Sequence, residues 1–158
     1  MNKRNKGRLV AVATALGVFA SGAALADSKN IDINASVTGV CKFNSTASNP
    51  VITIGPIDPS GSGDVTGSVA VLYKCTKGTS PGFTVPASTS LNCTGGGCTV
   101  GTDTLAVYSI TSTNDGTGSG FGSGQDKNLN VTAKVQQSDY QNATVGSYTK
   151  TISVSVSP

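Results

Sequence analysis

A chain of 158 residues with no histidine, no tryptophan and no glutamate lacks the usual general base and with it any Ser-His-Asp arrangement. The formal net charge of +3 is misleading, because Lys3, Arg4, Lys6 and Arg8 lie in a leader and the remainder sets seven lysines against eight aspartates. That remainder has no arginine and no basic cluster to follow a phosphate backbone, which excludes nucleic-acid binding.

Residues 1–26 read as a secretory signal peptide. The four basic residues form its positive start, residues 9–20 are an apolar run too short to span a bilayer, and Ala24-Leu25-Ala26 is a small-x-small cleavage site. Residues 27–158 then make one exported domain, delivered to or through a periplasm. Gly, Ser, Thr, Asn and Val dominate it, and no stretch sustains a 3.6-residue apolar period. The expectation is therefore an all-β domain with essentially no helix.

The first expected strand is residues 31–37, where Ile31, Ile33, Ala35 and Val37 share one face and Asp32, Asn34 and Ser36 the other. Almost nothing precedes it once the leader is removed, so it can pair within its own sheet or be lent to a neighbour's. Cys41 follows. A polar turn over 44–49 leads to an apolar stretch, 50–57, whose bracketing Pro50 and Pro56 suggest a strand near a sheet edge. Residues 58–64 form a loop. Residues 67–75 read as a strand buried on both sides, and Phe83 and Val85 begin a short strand that Pro86 interrupts.

Four cysteines in an exported chain imply disulfides. Cys93 and Cys98 bracket the flexible Thr94-Gly95-Gly96-Gly97 tip, which leaves Cys41 for Cys75. A Cys₄ zinc site would need ligand spacings that are missing here. Residues 104–111 form the next strand, followed by glycines at 116, 118, 120, 122 and 124 around Phe121. These glycines never form a phosphate-binding motif, and they read as a mobile surface loop. Two alternating strands close the chain, through Leu129, Val131, Ala133 and Val135 and through Tyr148, Ile152, Val154 and Val156. Seven or eight short strands between turns suggest an immunoglobulin-like sandwich. Every aspartate falls in a turn, at a strand end or on a polar face, so no catalytic residue, metal or cofactor is expected.

Several of these features occur together in one known family. The alternating strand ending in Cys41, the second cysteine closing the 69–75 strand and Leu105-Ala106-Val107-Tyr108 before the Gly-rich loop are three of them. The fourth is the closing Gly146-Ser147-Tyr148-Thr149-Lys150-Thr151-Ile152-Ser153-Val154-Ser155-Val156. Over residues 31–156 the chain resembles the spore coat protein U domain family, which includes subunits of archaic chaperone–usher pili. The resemblance implies an incomplete immunoglobulin-like sandwich, completed first by a periplasmic chaperone and then by the N-terminal strand of the next subunit. The donor would be Ile31, Ile33, Ala35 and Val37; the acceptor groove would draw on Val131, Val135, Ile152, Val154 and Val156. It further implies an outer-membrane usher, like or related subunits as partners, and a surface fibre or coat serving adhesion or biofilm formation. The alternative is a self-complete secreted sandwich that recognises a carbohydrate or host surface.

Overall fold

The computed structural model describes residues 27–44 and 49–158; the signal peptide expected over 1–26 lies outside the described residues. Packing divides the chain into two units, 1–35 and 36–158. In the first, residues 27–35 carry neither strand nor helix, and Ile31 and Ile33 are 82% and 91% exposed. The strand expected over 31–37 is thus not formed. Alternation alone cannot make a strand, since its backbone groups need a ladder partner.

The second unit is all-β apart from one helical turn. Its elements are β1 (Cys41–Phe43), β2 (Val65–Cys75), β3 (Gly82–Thr84), β4 (Thr89–Gly95), β5 (Thr104–Val107), β6 (Ser109–Asn114), β7 (Lys127–Val135), α1 (Gln137–Tyr140), β8 (Ser147–Thr149) and β9 (Ser155–Ser157). All pairings are antiparallel. A four-stranded sheet runs β1-β2-β7-β6, a three-stranded one β5-β4-β8, and β3 pairs with β9.

β2 and β7 form the longest ladder, from Val65 opposite Val135 to Tyr73 opposite Lys127. Their inward residues, among them Tyr73, Leu129, Val131 and Val135, meet Leu105 and Val107 of the three-stranded sheet in one core. Each large side chain buried there is worth about 1.5–3 kcal/mol. Contrary to the expectation of a strand buried on both sides, β2 hides only one face. Thr66, Ser68, Ala70 and Leu72 are exposed, because among the described residues no layer covers that part of the outer side of the sheet.

Both disulfides form as expected, Cys41 with Cys75 and Cys93 with Cys98. Cys41 and Cys75 sit directly opposite each other in the β1–β2 ladder, so the bond closes a loop with a sequence separation of 34. Restricting that loop in the unfolded chain contributes about 3–4 kcal/mol.

The Gly-rich segment departs from the loose loop expected of it. Gly120 N donates to Cys75 O at 2.9 Å, Gly118 N to Thr79 O at 2.8 Å, and Gly78 N to Gly118 O at 3.0 Å. Tyr73 Oη donates to Gly116 O at 2.8 Å. The segment is docked on the disulfide end of β2. Gly118 is buried there, where a Cβ would lie 2.5 Å from Cys75 Cβ and 2.7 Å from Thr76 O.

Candidate functional site

The core is closed along the inner face of β7 and looser along the middle of β2. Val135 is fully buried and Val131 is 2% exposed, yet Val69 and Val71, beside Val131 on β2, are only half-buried. Above them lies a groove of about 940 Å³. Its floor is the inner face of the sheets: Val69, Val71, Val131 and Ala133 from β2 and β7, with Leu91, Val107 and Ile110 from β4, β5 and β6. Ile52 and Ile54 line it as well, with Tyr148, Ile152 and Val154.

Two of the lining stretches are short of backbone partners. Residues 50–57, expected as an edge strand, form no strand. The final strand is assigned only at its ends, as β8 and β9, with 150–154 unassigned between them. Among the described residues no backbone hydrogen bond engages either stretch. Side-chain burial nevertheless alternates through both: Ile52, Ile54, Ile152 and Val154 are half-buried, while Val51, Thr53, Thr151 and Ser153 are exposed. Such stretches have the pleat of a strand without its ladder. The 52–54 stretch lies close against β2, since a Cβ on Gly67 would meet Thr53 O first and then lie 2.9 Å from both Ile52 Cγ2 and Ile54 Cγ1.

Of the five residues expected to form an acceptor groove, the structure brings Val131, Ile152 and Val154 together. Val135 lies beyond the groove, sealed opposite Val65 at the end of the β2–β7 ladder. Val156 also lies outside it, on β9 opposite Phe83. The sequence reading missed Ile52, Ile54, Val69, Val71 and Leu91. The alternation of 50–57 pointed to the first two, whereas the role of β2 was hidden by the assumption that both its faces were covered.

Val40 anchors the start of β1 to the end of β2. Its N–H donates to Thr76 Oγ1 at 3.1 Å, and Thr76 N donates to Val40 O at 2.9 Å. Just before that anchor Val37 is 85% exposed, as are Ile31 and Ile33 further back. The groove itself is almost free of charge, with Lys150 the only ionisable side chain besides Tyr148 among its lining residues. It has the chemistry to take an apolar β-segment whose backbone hydrogen-bonds to one or both of the unladdered stretches.

No helix among the described residues is long and apolar enough to cross a membrane. No protein-family model, curated protein or solved structure matches the chain.

Proposed function

We propose that this chain is a structural subunit of an exported surface fibre or coat that polymerises by strand donation. Residues Ile31, Ile33, Ala35 and Val37 of one copy enter the groove of the next and complete an immunoglobulin-like sandwich that lacks one strand. The observation that carries this reading is the open core lined by two unladdered, alternating stretches, together with an unpaired, exposed segment of matching alternation. Burying Ile31, Ile33 and Val37 would contribute about 1.5–3 kcal/mol each, with each new backbone hydrogen bond adding about 0.5–1.5 kcal/mol.

The resemblance to the spore coat protein U domain supports the rest: a periplasmic chaperone that fills the groove before assembly, an outer-membrane usher, and a role in adhesion or biofilm formation. The two disulfides suit an oxidising compartment. The alternative, a self-complete binding module, calls for a filled core. The half-buried Val69 and Val71 and the exposed Ile31, Ile33 and Val37 count against it.

The test is the gel behaviour of protein secreted with its assembly machinery. Full-length subunits are expected to give a ladder that resists heat and denaturant. Deletion of residues 27–37, or Ile33→Asp, should leave only folded monomer, since an unpaired charge is strongly disfavoured in an apolar groove. A ladder that survives both changes would refute the proposal.

A further inference from the structure

A lysine, an asparagine and an aspartate converge beside β1. Asp126 engages both others: its Oδ1 accepts from Asn44 Nδ2 at 3.1 Å, and its Oδ2 stands 3.5 Å from Lys74 Nζ. Strand register sets up the encounter. Lys42 faces Lys74 across the β1–β2 ladder, and Asn44 N donates to Leu72 O at 2.9 Å, so Asn44 and Lys74 are diagonal neighbours on one face of the sheet. Gly122 O accepts from Lys74 Nζ at 3.0 Å and holds the amine in place.

Beside Asn44 and Lys74 lies a cleft of about 190 Å³, lined by these two with Lys42, Phe43 and Phe121. The side chains of Lys74 and Asp126 are only 21% and 30% exposed. Lys42 and Lys74 are like charges directly opposite one another, an arrangement that costs stability.

We propose that Lys74 and Asn44 condense into an intramolecular amide, with Asp126 as the proton carrier. The neutral amine of Lys74 attacks Asn44 Cγ and a C–N bond forms. Asp126 takes a proton from the attacking nitrogen and passes it to Asn44 Nδ2; the Cγ–Nδ2 bond then breaks and ammonia leaves. Counted from the ammonium form of Lys74, the products are the amide and an ammonium ion, so atoms and charge balance without oxidant or cofactor. A carboxylate already in contact with both reacting groups supplies the positioning that makes such intramolecular steps fast. Each molecule needs to react only once, so a slow step suffices. The product removes one of two facing positive charges and ties the chain after β1 to β2, beside the Cys41–Cys75 bond but immune to reductants. This proposal is independent of strand donation.

The test is intact-mass and peptide analysis of the purified chain, stored with its disulfides intact at about pH 7 and about pH 9 and reduced only for the measurement. The expected species is lighter by one ammonia, accumulates with storage, and resists tryptic cleavage after Lys74. Its digest should contain a branched peptide joining Lys74 to Asn44, lost in both Lys74→Arg and Asp126→Ala, with folding of each checked by its two disulfides. Full mass at both pH values would overturn the proposal. So would ammonia loss without a branched peptide, which marks a succinimide instead, or a branched peptide that persists in Asp126→Ala.

Discussion

Gly118 has neighbours that leave no room for a side chain. Alanine there would push against Cys75 Cβ, Cys75 O and Thr76 O, two of which are backbone atoms that cannot step aside. Gly118→Ala should therefore cost about 1–3 kcal/mol, read as a shift in urea midpoint, whereas alanine at Gly122, where the nearest atom is Gln125 Cγ at 3.7 Å, should cost far less. Five alternating glycines looked interchangeable in the sequence. Which one is jammed against a disulfide depends on tertiary contact, and no local signal carries that. Asp115 makes a second prediction at this scale. The backbone N–H of Asn128 and then its side-chain amide donate to Oδ2, at 2.8 and 2.9 Å, and with Lys127 nearby they hold the carboxyl below its ordinary 3.8. A depressed folded value stabilises the fold above the unfolded value, and that stability is lost as the pH falls through the folded value. Stability measured by urea titration should thus decline below about pH 3.8, with a shallower decline in Asp115→Asn.

Among the elements, β2 holds the most together: it pairs with β1 and β7, supplies Tyr73 to the core and carries Cys75. Tyr73 packs edge-on against Phe83 with centroids 4.9 Å apart, and its hydroxyl donates to Gly116 O. Tyr73→Phe keeps the ring contact and should cost about 0.5–1.5 kcal/mol in chemical denaturation, the value of the lost hydrogen bond. The apolar run ending in Cys75 made β2 legible in the sequence, the period-two pattern of Leu129, Val131, Ala133 and Val135 made β7 legible, and the spacing of Cys93 and Cys98 made the tip disulfide legible. Less visible were the divisions. Residues 104–111 split at Tyr108 into β5 and β6, which join different sheets; there Tyr108 Oη donates to Asp64 Oδ2 at 2.7 Å. The final strand splits because β8 pairs with β4 and β9 with β3, leaving 150–154 without a ladder between them. Alternation reports which face a residue turns to, but not whether a partner strand exists beside it.

For the whole molecule, the central claim is that the unit 36–158 is one strand short, and that residues 31–37 of another copy can supply it. Half of the expected groove was legible as apolar alternation in the last two strands. The other half required knowing that the inner face of β2 is only half-covered at Val69 and Val71 and that Ile52 and Ile54 line the same groove. The most direct measurement is the thermal midpoint of a chain beginning at residue 36, titrated with a synthetic peptide of residues 27–40. At a large excess over its dissociation constant the peptide should stabilise the domain by about 2–3 kcal/mol, raising the midpoint by more than about 5 °C. The same peptide carrying Ile33→Asp should leave it unchanged. An unshifted midpoint with the native peptide, or a truncated domain markedly less stable than the full-length monomer, would contradict the account.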